Sequence, residues 1–480
     1  MSAGDVTAIP SQAAREEQRP DSLRLIFTII SVGVPVLLWF APLDIPVLAK
    51  EAMAISSFMI LAWMTNIMEY GAAGLIGCLL FWFLGVAKIE TAFSGFVNDI
   101  PWFLFGAILL GAAGVKTGVP QRIGAFVVTR IGSSYSNLLL GLVIASFVLT
   151  LFVPSGAARL VVMAAIAIGV INVFGVEKGS NIGRGIFLVI TYTAAIFDKM
   201  VIAGAGAITA VGNIQRFGGV QVSWAMWFFA FLPCALLTIL SAWLFAKWVY
   251  PPEIDRLDGA RMEALKERLR TSTAWDSMAK KATALSLLAI AFWLTDFIHH
   301  VSPSIIALAM ALIAFLPYVD VLNADDMRKV NLMPVFFVAA ALSMSNVAQQ
   351  TGALKLITDN FFGFLQPLLA NKIVAVPALY WGGFVYHFAT ASEISMLATS
   401  LPVLMEFAKS HGLDVLWIGM VWGFSAGGKL FAYQSAPLVI GYSYGYFKHT
   451  DLIKIGAILT VIEFFGLALS AAIYWPLLGI

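Results

Sequence analysis

Long apolar runs are the feature of this sequence that most limits what it can fold into. A helix needs roughly 20 predominantly apolar residues to cross the hydrocarbon core of a bilayer, and the 480-residue chain contains one such run after another. Charged residues make up only 12% of it, whereas soluble domains contain about 25%. We therefore expect an all-helical protein that crosses a membrane many times.

The apolar runs predict about 11 transmembrane helices. They lie at Leu25–Ala41, Met53–Glu69, Gly71–Val86, Pro101–Val115, Ile186–Ile202, Trp224–Trp248, Ala282–Phe297, Ile305–Val319, Met333–Val347, Trp417–Tyr433 and Ile453–Leu478. Two further apolar regions, 137–174 and 372–407, are interrupted near their middle by small and polar residues. Backbone at membrane depth can be irregular only inside protein or against water. We therefore predict a re-entrant hairpin in each region, with a kinked full span as the alternative.

One hydrophilic segment, 251–281, divides the chain into halves at 25–250 and 282–480. Lysine and arginine are frequent in this segment, and its middle is predicted to form a charged helix. The positive-inside rule places the segment in the cytoplasm, and helix parity places residues 1–24, a predicted polar tail, on the same side. The predicted location is the inner (plasma) membrane.

The same order of elements occurs in both halves. A span ending in Lys116-Thr117-Gly118 or Gln350-Thr351-Gly352 is followed by a predicted hairpin and then by a span with a small-residue break, at 203–207 or 433–437. Matched broken segments in two halves indicate a secondary transporter with an inverted repeat and a binding site near the bilayer midplane. A channel is the alternative, although a channel does not need two opposed hairpins.

The sequence argues against several other functions. It contains no phosphate-binding loop, no metal-ligand spacing and no nucleophile–base motif, so we expect neither an enzyme nor a nucleotide-driven pump within this chain. Cys78 and Cys234 both lie in apolar runs. A net charge of +2 gives no reason to expect a nucleic-acid partner. A membrane-embedded enzyme using Asp198, His387 or Glu393 is a remote alternative.

Several motifs resemble the divalent anion/sodium symporter family of the ion transporter superfamily. They are residues 92–107 leading to Lys116-Thr117-Gly118, the Tyr-Pro-Pro-Glu at 250–253, and the Tyr-Gly-Tyr-Phe at 444–447. The Pro-Ser-Gly-Ala-Ala-Arg at 154–159 is similar to the Pro-Ser-Asn-Thr-Ala-Arg of the bacterial citrate, tartrate and oxoglutarate carriers. The resemblance covers nearly the whole chain after Leu25.

This resemblance implies a scaffold domain that holds a homodimer and a transport domain that contains two opposed hairpins. The transport domain would move through the membrane like an elevator, carrying a small organic anion such as a dicarboxylate, a tricarboxylate or a related sulfonate. Free amides at half-helix N-termini would attract the anion. The expected substrate-binding residues are Ser155, Gly156, Ala157, Arg159, Gly206, Ser392, Glu393, Ile394, Ser435 and Ala436. The expected residues for coupling to Na⁺ or H⁺ are Ser155, Gly204, Ser392, Glu393, Gln434 and Lys429.

The tips depart from the family pattern. Only Ser155 and Ser392 remain of the two Ser-Asn-Thr signatures, so side-chain oxygens that a sodium site would use are missing. Exchange, proton coupling and a residual sodium coupling all stay open. Glu393, in place of an asparagine, would either be protonated or pair with a cation such as Lys429.

Three other polar residues near the tips have ordinary structural interpretations. Asp198 and the adjacent Lys199 are expected to mark the membrane edge, with pairing to other elements as the alternative and Arg159 as a candidate partner for Asp198. His387 is expected to form a hydrogen bond within the bundle.

Overall fold

The computed structural model describes residues 21–153, 155–202, 204–269, 275–361, 366–390 and 392–480. These residues form helices and no strand, and an isolated antiparallel bridge joins Ser134 to Arg256. Eight helical segments in the described ranges are long and apolar enough to cross a membrane, judged by length and composition, and four shorter helices are also apolar. The expected all-helical membrane fold is confirmed.

Helices follow one another along the whole chain. In the first half they are Asp21–Phe40, Val47–Thr65, Tyr70–Phe83, Ile89–Ala92, Asp99–Thr117, Val119–Arg130, Tyr135–Phe152, Gly156–Phe174, Asn181–Met200, Ala205–Asn213 and Trp224–Val249, with a 3-10 turn at Ser94–Val97 and a π turn at Ile214–Gly218. From the central loop onward they are Gly259–Leu269, Ser277–Leu294, Asp296–His299, Pro303–Ile313, Ala324–Lys329, Met333–Gln350, Ala353–Phe361, Gln366–Leu369, Lys372–Ala389, Glu393–Ser410, Val415–Ser425, Ala436–Ser443, His449–Leu469 and Trp475–Leu477, with a 3-10 turn at Ala432–Gln434 and a π turn at Ser470–Tyr474.

The two interrupted apolar regions each form two helices. Helix pair 1 consists of Tyr135–Phe152 and Gly156–Phe174, and helix pair 2 consists of Lys372–Ala389 and Glu393–Ser410. The helices separate where the sequence becomes small and polar. Whether the pairs are re-entrant depends on where the membrane lies, so the hairpin interpretation stays a prediction.

Two spans are broken, as the small-residue segments predict. Broken span 1 consists of Asn181–Met200 and Ala205–Asn213. Broken span 2 consists of Val415–Ser425 and Ala436–Ser443, and its interruption is wider than the sequence indicates. The predicted helix Trp417–Tyr433 is wrong at its end, because the chain leaves the helix at Ala426 and continues through Gly427 and Gly428.

The first helix and the central loop differ from their predictions in smaller ways. The first helix begins at Asp21 and not at Leu25, and the rest of the predicted polar tail, residues 1–20, lies outside the described residues. The charged helix predicted in the central loop is present as Gly259–Leu269. Residues 270–274 of that loop lie outside the described residues.

Side-chain caps fix many helix starts. The hydroxyls of Ser134, Ser180 and Ser223 accept hydrogen bonds from backbone amides three residues later, at 3.1, 3.1 and 3.0 Å. The Asp276 and Asp414 carboxylates do the same at 2.7 and 3.1 Å. Such caps satisfy amides that have no partner inside the helix and favour a defined start.

The helices pack mainly as two sets. One set contains the first helices of each half, with Asp99–Thr117 against Pro303–Ile313 and Tyr70–Phe83 against Met333–Gln350. The other contains both helix pairs and both broken spans. A polar link joins the sets: Arg216 Nε donates to Asn346 Oδ1 at 2.9 Å, and Asn346 Nδ2 donates to Ser94 Oγ at 2.8 Å.

Candidate functional site

Four helix N-termini meet where the helix pairs approach the broken spans. They belong to Gly156–Phe174, Ala205–Asn213, Glu393–Ser410 and Ala436–Ser443. Gly156 lies against Pro437, and Gly206 lies against the side chain of Glu393. Each helix N-terminus carries unpaired amides and the positive end of a dipole. Their convergence forms a place suited to an anion inside an otherwise apolar bundle.

Asp198 lies at the first-half side of this site. Its Oδ1 accepts a hydrogen bond from the Gly156 amide at 3.1 Å. A Cβ at Gly156 would stand 3.2 Å from Asp198 Cγ, and a Cβ at Gly204 would meet the backbone oxygen of Asp198. The absence of side chains at both glycines therefore lets the carboxylate lie between the tip of pair 1 and the break of span 1. Asp198 therefore caps the tip of pair 1, and its expected position at the membrane edge stays a prediction.

Glu393 and Lys429 form a buried ion pair on the second-half side. Lys429 Nζ donates to Glu393 Oε2 at 2.5 Å, and their side chains are 1% and 9% exposed. Glu393 is the first residue of its helix and packs over Gly206, where a Cβ would overlap its carboxylate. The pairing that the sequence offered as one alternative is therefore present. Its part in binding or coupling stays a prediction.

The two surviving tip serines cap their own helices. Ser155 Oγ accepts from the Ala158 amide at 3.3 Å, and Ser392 Oγ accepts from the Ser395 amide at 3.2 Å. Ser155 is exposed, whereas Ser392 and the neighbouring Ile394 and Ala157 are partly buried. These four residues therefore lie at the tips of the helix pairs, and Ser155 is accessible.

Arg159 is directed into the protein. Its side chain is completely buried, and its guanidinium donates to the carbonyl oxygens of Val153 at 3.0 Å and Ala194 at 2.8 Å. The bond to Ala194 fastens pair 1 to broken span 1, and the bond to Val153 joins the two helices of the pair. Asp198 acts on this guanidinium through space. Bidentate binding of a substrate carboxylate would first require Arg159 to leave both carbonyls.

Broken span 2 presents buried polar atoms beside a helix start. Ser435 is the N-cap of Ala436–Ser443, and its Oγ has no hydrogen-bond partner among the described residues. Gln434 Oε1 accepts from the amides of Leu430 and Phe431 at 2.7 and 2.8 Å, and its Nε2 likewise has no described partner. Ala436 is exposed. His387 Nε2 lies 3.2 Å from the Gln434 carbonyl oxygen, as expected for a histidine bonded within the bundle.

A second buried ion pair was not predicted. Lys199 Nζ lies 3.0 Å from both carboxylate oxygens of Glu463, with side chains 3% and 2% exposed. Tyr380 donates its hydroxyl to Glu463 Oε1 at 3.3 Å. Lys199 stands five residues before Gly204, as Lys429 stands five residues before Gln434. An ionisable residue inside an apolar run, such as Glu463, is the signal that indicates this pair.

Comparison with known proteins places the chain among membrane transporters. The model of the sodium:sulfate symporter transmembrane region matches residues 21–480. The citrate/succinate antiporter of Escherichia coli K12 is 26% identical over 82% of this chain and 81% of its own length. The putative malate transporter YflS of Bacillus subtilis is 22% identical over 97% of this chain and 99% of its own. Dicarboxylate transporter 2 of spinach chloroplasts is 22% identical over 95% and 83%.

A solved structure shares the fold. MtrF of Neisseria gonorrhoeae, described as an antimetabolite efflux pump, superposes with a TM-score of 0.55 at 12% sequence identity, over 95% of each chain. The family and these relatives are transporters and not enzymes. The resemblance carried by the framework motifs is thus confirmed: the chain belongs to the sodium:sulfate symporter family, the divalent anion/sodium symporters.

Proposed function

We propose that this protein is a secondary carrier of small organic anions that works by sodium-independent exchange. The convergence of four helix N-termini beside Gly156, Gly206, Glu393 and Pro437 carries the anion part of the proposal. Amides and dipole ends favour negative charge there without any metal ion. The antiporter of Escherichia coli K12, a relative across 82% of this chain, supports exchange as the mode.

The buried Lys429–Glu393 pair supports sodium independence. The oxygens expected to bind sodium already accept hydrogen bonds: Ser155 and Ser392 from their own helices, and Gln434 from two amides. A hard cation needs several oxygen ligands at once. The side chain of Lys429 already pairs with Glu393 at the second tip, so no dissolved cation is needed to hold that carboxylate.

The remaining family features belong to the same proposal. The set with both helix pairs and both broken spans would be the transport domain, moving like an elevator against a scaffold set, with the two halves forming an inverted repeat. The scaffold would hold a homodimer in the inner membrane. The loop around Gly259–Leu269 and the N-terminus would face the cytoplasm.

Proteoliposome uptake tests the proposal. Purified protein is reconstituted with internal succinate, citrate or 3-hydroxypropanoate, and uptake of each labelled compound is measured in sodium and in choline medium at equal ionic strength. We expect uptake that depends on an internal anion and is equal in both media. A rate that falls several-fold in choline would refute sodium independence. Failure of every anion to enter would refute the carrier proposal itself.

Proton-coupled transport must also be distinguished from exchange. It would require Glu393 to bind and release a proton, and hence to leave Lys429 during each cycle. An imposed pH gradient without internal anion would then drive uptake. We expect no such uptake, because the pair is buried and short.

A further inference from the structure

The chain's own carboxylates already occupy two of the four helix N-termini. Asp198 Oδ1 accepts from the first amide of Gly156–Phe174 at 3.1 Å. Glu393 lies over Gly206, in the first turn of Ala205–Asn213, and is neutralised by Lys429. At both places a substrate carboxylate would meet a negative charge at short range. The first-half tip is therefore a poor position for a second acid group.

Of the two other helix starts, that of Glu393–Ser410 is capped by Ser392 and carries the carboxylate of Glu393 itself. The N-terminus of Ala436–Ser443 is therefore the start that remains open to an anion. Ser435 is 7% exposed and Gln434 is fully buried, and neither Ser435 Oγ nor Gln434 Nε2 has a hydrogen-bond partner within the part of the chain that the structure describes. Buried polar atoms are almost always satisfied in folded proteins, and a ligand acid group at this helix start would give these donors a partner.

The start of Ala436–Ser443 lies beside Asp198. Pro437 Cγ and Asp198 Cγ lie 3.1 and 3.2 Å from the same point, the place where a Cβ of Gly156 would stand, so the two atoms are at most 6.3 Å apart, the sum of these distances. We therefore expect a compact ligand, with two or three carbons between its ends, to reach from this helix start to Asp198. One end would be an acid at Ser435, and the other would face the carboxylate of Asp198, which is only partly buried.

The charges around the tips are already balanced. Arg159, Lys199 and Lys429 stand against Asp198, Glu393 and Glu463. A dianion bound here would leave uncompensated charge inside the bundle, where charge is costly. A ligand with one acid and one ammonium group would not, and a ligand with one acid and one hydroxyl would leave half the charge of a dianion.

We propose that the site selects a compact acid that carries an ammonium group, with its acid at Ser435 and Gln434 and its ammonium at Asp198. A hydroxyl in place of the ammonium would be second best, because it donates without charge. A carboxylate in that place would be worst, because like charges at this distance repel strongly at low dielectric constant. The proposal rests on the carrier function proposed above and extends its substrates from organic anions to zwitterions that carry the same acid group.

Three probes that differ only at one end test this inference: 3-aminopropanoate, 3-hydroxypropanoate and succinate. Binding is measured by tryptophan fluorescence of purified protein, and exchange is measured in proteoliposomes. We expect affinity to fall in that order, by about tenfold or more from first to last, which corresponds to about 1.4 kcal/mol. Succinate bound as tightly as 3-aminopropanoate would overturn the inference, while its exchange would leave the carrier function standing.

Two variants test which end of the ligand lies at Asp198 and which lies at Ser435. Asp198→Asn, which keeps a hydrogen-bond acceptor at Gly156, should raise the ratio of succinate to 3-aminopropanoate affinity by about tenfold or more. Ser435→Ala should weaken all three probes by a similar factor. The control Asp326→Asn, at the surface cap of Ala324–Lys329, should leave the ratio unchanged. An unchanged ratio in folded Asp198→Asn would contradict the proposed position of the ammonium, and the wild-type ranking tests it if that variant does not fold.

Discussion

Replacing Glu463 by glutamine is expected to destabilise the protein by about 3–5 kcal/mol, because it leaves the ammonium of Lys199 buried without a counter-charge. In the wild-type protein Nζ lies 3.0 Å from each carboxylate oxygen, and both side chains are nearly inaccessible. The contacts that would remain are the Phe424 carbonyl at 3.5 Å and the Phe424 ring at 4.1 Å. Neither carries a full negative charge.

A double-mutant cycle isolates the pair from other effects. Lys199→Met alone should cost a similar amount, since Glu463 would then be the unpaired charge. The double variant should recover most of the loss, because replacing both members of a buried pair is often close to neutral. The expected coupling is about 3 kcal/mol or more. The exposed pair Lys266–Glu263, at 2.6 Å with side chains 47% and 72% exposed, is the control, and its coupling should stay at or below about 1 kcal/mol.

The measurement is equilibrium unfolding in mixed micelles, with sodium dodecyl sulfate as denaturant and far-ultraviolet circular dichroism as readout. Additive single costs, with a coupling no larger than that of the control pair, would refute the reasoning. They would show that water or lipid headgroups reach Lys199 in the folded protein.

Three further perturbations have defined outcomes. Gly427→Ala should lower the thermal stability in detergent by several degrees, because its Cβ would overlap Lys199 Nζ; an unchanged melting temperature would argue against this packing. Arg159→Ala should lower the thermal stability in detergent and slow uptake, because the buried carbonyls of Val153 and Ala194 lose their donor; an unchanged melting temperature with unchanged uptake would contradict the structural role of Arg159. Glu393→Gln should slow exchange at least tenfold by leaving Lys429 unpaired, and adding sodium should not restore the rate; recovery in sodium would contradict the proposed role of the ammonium.

The broad fold and the place of the site follow from the sequence because both depend on local patterns. Apolar run length predicts helices, and polar or small residues within such runs predict the breaks. The helices that end at Phe152 and Ala389, and those that begin at Gly156 and Glu393, do so where those patterns put them. The length of the break before Ala436 could not be predicted, since Gly427 and Gly428 also fit inside a membrane helix.

The directions of side chains and the ion pairs between distant residues could not be predicted from the sequence. Arg159 has the right residue type and spacing to bind an anion at the tip, yet its donors meet the carbonyls of Val153 and Ala194. Lys199 and Glu463 are 264 residues apart. A single sequence does not show which buried acid pairs with which buried base, because the pairing depends on how the helices of the two halves pack.

The polar link from Arg216 through Asn346 to Ser94 has a kinetic consequence for the proposed elevator cycle. Only the bond from Arg216 to Asn346, 2.9 Å long, joins the two sets, because Ser94 packs against the helix that contains Asn346. This bond would be lost after a displacement of about 1 Å, since hydrogen bonds weaken steeply beyond normal length. In the proposed cycle it would therefore hold the transport set at one end of its movement. The strength of this bond would set how long the protein stays in that state. Asn346→Ala, which removes the bond, would therefore shorten this time and leave the affinity for the substrate unchanged.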